Sequence, residues 1–179
     1  MPDLAEPAAV FHTSFLAAMK EFADEGWSVG DTRTTVAEDL QEYAGVWETA
    51  EGFRAYLERV RAAEDERTPW HPGWVGFTTW WWADGDEYLG KLCVRHRLTT
   101  HLREQGGHIG YHVRPSARRQ GHATAMLRAS LPYVRELGIA SALVTCDVDN
   151  TGSRRAIERC GGVLEDRRGR KLRYWIATE

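Results

Sequence analysis

A chain of 179 residues with 42% hydrophobic and 27% charged residues has the composition of one ordinary folded domain over 1–179, not of a disordered tail. Its formal net charge of −3 excludes the broad basic field that nucleic-acid binding needs, so no nucleic-acid partner is expected. No apolar stretch reaches membrane-spanning length, and the start Met1-Pro2-Asp3-Leu4-Ala5-Glu6 lacks the basic and then apolar run of a secretion signal, so the expectation is a cytoplasmic protein without a membrane partner.

Taken in chain order, Phe11, Phe15, Ala18, Met19 and Phe22 recur at helical spacing between Ala8 and Glu25, and Gly26 is a natural stop. A shorter helix is expected over Val36 to Tyr43. Thr49 is placed to cap another, with Phe53, Tyr56, Leu57 and Val60 as its buried stripe, ahead of the charge run Glu64 to Arg67 and Pro69. After Pro72 the texture changes to aromatic and branched residues over Trp74 to Ala83, Glu87 to Leu98 and Gly107 to Val113, which predicts consecutive antiparallel strands. Gly121 to Leu137 returns to helical spacing, with Pro132 expected to kink it, and Ile139 to Val148 is a strand. Ser153 to Cys160 is a short helix closed by Gly161-Gly162, and Val163 to Ile176 is a hairpin turning near Gly169. Cys93, Cys146 and Cys160, an odd number with no CxxC pair, suggest neither a disulfide framework nor a zinc knuckle.

The informative stretch runs from His108-Ile109-Gly110-Tyr111-His112-Val113-Arg114-Pro115 into Arg118-Arg119-Gln120-Gly121-His122-Ala123-Thr124. A strand enters a basic, glycine-containing loop that opens into a helix, which aims unpaired backbone N–H groups and the positive end of a helix dipole at one spot. Phosphate or pyrophosphate is the ligand such a junction suits, although many folds use the same junction for structural reasons alone. No GxxxxGK[ST] and no GxGxxG after an early strand is present, so neither a P-loop nor a dinucleotide fold is supported.

Arg118-x-x-Gly121-x-Ala123 after a strand ending Val113-Arg114-Pro115 resembles the [QR]xxGx[GA] pyrophosphate loop of the GNAT superfamily of acetyl-CoA-dependent N-acyltransferases. The resemblance covers about Trp70 to Ile176 and is similar to a bacterial subgroup of poorly defined substrate; residues 1–69 match loosely. It implies an α/β fold of α+β type, with a mixed, mostly antiparallel sheet flanked by helices and splayed between the strands Gly107 to Val113 and Ile139 to Val148. It further implies that backbone groups of Tyr111 and Val113 hold the pantetheine arm or the acetyl carbonyl, and that the N–H groups from Arg119 through Gln120, Gly121, His122 and Ala123 to Thr124 cradle the pyrophosphate, with Arg118 opening the motif. Asn150 and Ser153 match positions that contact the arm of the cofactor, and they serve equally well as plain helix caps.

Acetyl-CoA is thus the implied cosubstrate, with no metal, and the implied reaction is transfer of its acetyl group to a primary amine of a small molecule. A protein N-terminus or lysine as acceptor, and a non-catalytic acyl-CoA-binding module, are the alternatives. The module gains from Ile157, which stands where many members of the superfamily carry a tyrosine that protonates the leaving thiolate. The acceptor ammonium, with a pKa of about 10, must lose a proton before it attacks. His108 stands where many relatives have a glutamate and is the leading base, with His112 on the same strand face; structural histidines are the plainer reading. Four strand residues put the two side chains about 13 Å apart, too far to share a metal. Trp70, Trp74, Trp80, Trp81 and Trp82 are candidates for an aromatic acceptor wall, with at least one in plain core, and Arg95, His96 and Arg97 are candidates for charge in the same pocket. The C-terminal hairpin is the candidate surface for a homodimer.

Overall fold

The structure of the chain, a computed structural model, describes residues 1–27, 35–67 and 75–179. Seven strands form one sheet in the order β1 (Asp3–Ala5), β2 (Phe77–Asp84), β3 (Glu87–Arg95), β4 (Ile109–Val113), β5 (Ser141–Asp147), β7 (Lys171–Ala177), β6 (Val163–Arg168). All neighbours are antiparallel except β4 and β5, which run parallel and share one register pair, Ile109 with Val144. Beyond that pair the two strands part. The mixed sheet, mostly antiparallel and splayed at its middle strands, is the one the resemblance implied.

Side-chain alternation gives this sheet two apolar faces. On one, Leu92, Val94, Ile109, Val144 and Tyr174 pack against Met126, Leu127 and Val134 of α4 (His122–Glu136) and Ile157 of α5 (Thr151–Arg159). On the other, Trp81 and Tyr88 are covered by Phe15 and Phe22 of α1 (His12–Asp24) and by Phe53 and Tyr56 of α3 (Ala50–Ala62), with Val36 and Leu40 of α2 (Thr35–Tyr43) alongside. The ring of Phe15 stacks on Trp81 at 5.1 Å, and full burial of such a ring contributes about 2–3 kcal/mol.

Local signals placed most elements well. Thr49 caps α3 by accepting from the Gly52 N–H at 3.0 Å, and the hairpin of β6 and β7 turns at Gly169, whose φ of +57° suits glycine. The helix expected from Ala8 starts at His12 after a turn over Ala9–Phe11, and α4 continues through Pro132. Strand β1 is an addition, three residues that pair Leu4 with Trp82 and are too short to show a period. Trp70 and Trp74 lie outside the described residues. Between β3 and β4 the chain makes a π-turn over Leu102–Gly106, closed by the Gly107 N–H on the Leu102 carbonyl at 2.6 Å. Gly107 then passes β5 with φ +65°, and a Cβ there would stand 2.4 Å from the Leu143 carbonyl oxygen. Only glycine fits that crossing. Among the described residues no helix is long and apolar enough to cross a membrane.

Candidate active site

The loop between β4 and α4 is built by long-range ties. Glu21 of α1 accepts from the Arg114 guanidinium at 2.7 Å and from the Ser116 N–H and hydroxyl at 3.0 Å each. Burial works against its charge, but the Ser116 N–H and Arg114 hold its carboxyl below the ordinary value. One turn later, Glu25 takes both terminal nitrogens of Arg118 at 2.9 and 2.8 Å, while Arg118 Nε donates to the Val113 carbonyl at 3.2 Å. The Arg118 guanidinium also lies over the rings of Phe22 and Trp27. Arg118 therefore fastens the loop to α1, a role the motif alone does not disclose. Arg119 takes a left-handed φ of 63° and Gly121 one of 88°, so the chain curls around a point in front of α4. Among the described residues, none of the backbone N–H groups from Arg119, Gln120, Gly121, His122, Ala123 or Thr124 has an acceptor in the protein. The His122 ring is turned back, with Nδ1 accepting from the Trp82 indole N–H at 3.1 Å, which leaves the front of the helix to the backbone donors. Six donors at a helix start suit a diphosphate.

Register shows what faces the splay. The backbone N–H groups of Arg95 and Arg114 donate to the His108 and Leu89 carbonyls, which fixes the even-numbered residues of β4 as those bonded to β3. The backbone groups of Tyr111 and Val113 therefore point the other way, into the gap between β4 and β5, although the Val113 carbonyl is shared with Arg118 Nε. The Tyr111 hydroxyl crosses the gap to Ser153 Oγ at 2.8 Å, and burial keeps the phenol protonated well above its ordinary value. Asn150 caps α5, its Oδ1 accepting from the Ser153 N–H at 3.0 Å. Ile157 is fully buried in the core under α5.

The two histidines differ from what their spacing suggested. The Leu143 N–H donates to His108 Nδ1 at 2.9 Å, so the neutral ring carries its own proton on Nε2 and has no lone pair left for a substrate. Burial, with Arg103 and Arg95 nearby, pushes its pKa down to about 4. The base expected at His108 is thus poorly placed to accept a proton. His112 packs edge-on against Phe22, with Nε2 3.5 Å from the Tyr88 hydroxyl, and burial together with Lys91 and Arg118 keeps it neutral. Its remaining nitrogen is not engaged by any described residue.

Beside His112 in the register lies Lys91, whose ammonium is 2.5 Å from Asp39 Oδ2, an oxygen that also accepts from the Tyr56 hydroxyl at 3.0 Å. Burial opposes the charge of Lys91, yet Asp39 keeps its pKa above the ordinary value. Sequence reasoning passed over this pair because its members stand 52 residues apart. Three of the tryptophans named for an aromatic wall are described. Trp81 is core, Trp82 serves His122, and Trp80 packs near Tyr133 on the α4 side. His96 and Arg97 are tied to Thr78 and Glu66, away from Gly110, whereas Arg95 lies over it. No group of three or more His, Cys, Asp or Glu side chains is placed to hold a metal among the described residues.

Known proteins share this fold. The family model described as an acetyltransferase (GNAT) domain matches residues 22–163. No curated protein matches the chain in sequence. Among solved structures, the microcin C7 self-immunity acetyltransferase MccE in complex with acetyl-CoA and AMP is similar with a TM-score of 0.63 at 13% identity, over 98% of this chain and 92% of that one. RimL, a ribosomal L7/L12 alpha-N-protein acetyltransferase, in complex with coenzyme A, gives 0.64 at 15% identity over 98% and 93%. The ribosomal-protein-S5-alanine acetyltransferase from Vibrio fischeri gives 0.65 at 10% identity over 99% and 92%. At these identities the likeness speaks for the fold.

Proposed function

Because the chain belongs to the GNAT acetyltransferase family and is an acyltransferase, we propose that it moves the acetyl group of acetyl-CoA to a primary amine of a small molecule by direct attack in a ternary complex. The observation that carries the reading is the set of six unpaired N–H groups from Arg119 to Thr124, set beside a sheet that parts between β4 and β5. The loop would hold the diphosphate of the cosubstrate, and the backbone of Tyr111 and Val113 would hold its arm in the gap, with Asn150 and Ser153 lining the α5 side.

In the reaction the amine nitrogen attacks the thioester carbonyl carbon. A C–N bond forms, the C–S bond breaks, the nitrogen gives up one proton and the thiolate gains one. A donor held at the carbonyl oxygen stabilises the charge that builds there. His112 is the imidazole with a nitrogen free to relay the amine proton, and His108 acts by holding β4 to β5. With Ile157 in the core, the protonated phenol of Tyr111 at the gap is the candidate donor to the thiolate.

A second reading, acetylation of a protein N-terminus, is supported by the ribosomal-protein substrates that the names of RimL and the Vibrio fischeri enzyme state. Thiol release from acetyl-CoA with a panel of small amines and of short peptides decides between them. Turnover with small amines is expected; turnover with peptides alone would favour the second reading, and calorimetric binding without any turnover would leave a binding module.

A further inference from the structure

Arg95 ends β3 on the sheet face that carries Lys91 and His112, and its guanidinium is fixed by one nitrogen only. Nη1 donates to the Gly106 and Gly107 carbonyls at 3.3 and 3.2 Å, the acceptors left open where the π-turn ends. The group is drawn across β4, where a Cβ on Gly110 would meet Nη1 at 3.6 Å and Nη2 at 3.9 Å. Gly110 immediately precedes Tyr111, whose backbone faces the splay.

The other edge of the fork, Nε with Nη2, has no acceptor among the described residues, and no carboxylate of theirs lies within ion-pair distance. Glu38 of α2 acts on Arg95 only through its field. The edge is also not sealed from solvent, since the one buried side-chain nitrogen or oxygen without a partner among the described residues is Trp81 Nε1. A partly buried guanidinium held rigid on one side, with its two-pronged edge open on the other, has the geometry that matches a carboxylate or phosphate bidentately.

We propose that Arg95 is a specificity determinant that binds an oxyanion, carboxylate or phosphate, carried by the acceptor amine. The inference rests on the acetyl-transfer reading. It narrows the acceptor to amines that bear an anionic group close to the nitrogen, such as free amino acids or aminoalkyl phosphates, and disfavours neutral amines and polyamines.

The test uses matched pairs: free L-amino acids against their carboxamides, and aminoalkyl phosphates against the parent aminoalcohols. Each is measured for acetyl-CoA turnover and, by calorimetry on the coenzyme A-loaded protein, for binding. Wild type should favour the anionic member of at least one pair by about tenfold or more in kcat/KM, mostly through KM, and which pair shows it tells carboxylate from phosphate. Arg95→Gln should bring that ratio close to one, because the anionic member loses far more kcat/KM than the neutral one. Arg95→Lys, which keeps the charge and one donor to the π-turn but lacks the fork, should melt like wild type and lose most of the preference. Turnover with no preference in either pair, or equal losses for both members in Arg95→Lys, would overturn the proposal while leaving acetyl transfer standing. Arg95-dependent binding of the anionic member without turnover would support the anion site and sink the acetyl-transfer reading instead.

Discussion

The Leu143 backbone N–H donates to Nδ1 of His108 at 2.9 Å, so an imidazole ties β4 to β5 at the root of their splay. Removing it in His108→Ala leaves a buried N–H unpaired, and urea unfolding should show a loss of about 1–3 kcal/mol. The pH dependence has a definite sign. His108 falls from an ordinary 6.5 to about 4 in the fold, so between those values the unfolded chain binds a proton that the folded one refuses. Its stabilising effect is complete above pH 6.5 and fades as pH falls toward 4. Wild type should therefore weaken between about pH 8 and about pH 5 more than His108→Ala does. The acidic limb of kcat/KM should persist in His108→Ala and move in His112→Ala; the reverse result would return the base role to His108.

Gly121 stands at φ +88°, and a Cβ built on it would have no heavy atom within 4 Å, so a substituent meets no protein wall. Gly121→Ala should cost roughly 1 kcal/mol in melting, the penalty of a left-handed alanine. Its methyl would stand beside the backbone donors, and calorimetry should show acetyl-CoA affinity reduced about tenfold or more, a difference of ~1.4 kcal/mol. Full affinity in the folded variant would remove the pyrophosphate from this loop.

The Lys91 and Asp39 side chains are 5% and 19% exposed, and each neutralises the other. Asp39→Ala should destabilise by about 3–5 kcal/mol, because it strands a buried ammonium. Pairing it with Lys91→Met should recover most of that loss in a double-mutant cycle. Additive losses would show that the two charges do not act as a pair.

Cys146 is buried, and burial followed by Asp147 raises its thiol above the ordinary value, the wrong direction for a nucleophile. Cys146→Ala should keep wild-type turnover within about twofold, and initial-rate plots against both substrates should intersect, since proximity of amine and thioester suffices. Parallel lines with an acetyl group on Cys146 would establish a covalent relay.

What was readable from the sequence is what lies close together in it. The Thr49 cap, the stripe Phe53, Tyr56, Leu57 and Val60, the Gly169 turn and the strand, loop and helix at Arg118 to Thr124 are local patterns, and the structure contains them. Strand β1 escaped because three residues carry no period. The π-turn at Leu102–Gly106 has no residue signature. The role of Arg118 was hidden for another reason: its partner Glu25 is 93 residues away, and motif matching reports a residue type without saying whom it serves. The same distance blindness concealed Asp39 beneath Lys91 and the Leu143 N–H that occupies His108.

Helix α1 holds the loop in front of α4 through Glu21 and Glu25, and through Phe22 it also lies against His112 on the opposite face. One element thus borders the places proposed for both reactants. Any acceptor whose arrival displaces α1 must alter the affinity for acetyl-CoA, and by reciprocity acetyl-CoA must alter the affinity for that acceptor by the same factor. Cooperativity between the two substrates would then be written into a helix that touches neither bond being made nor bond being broken.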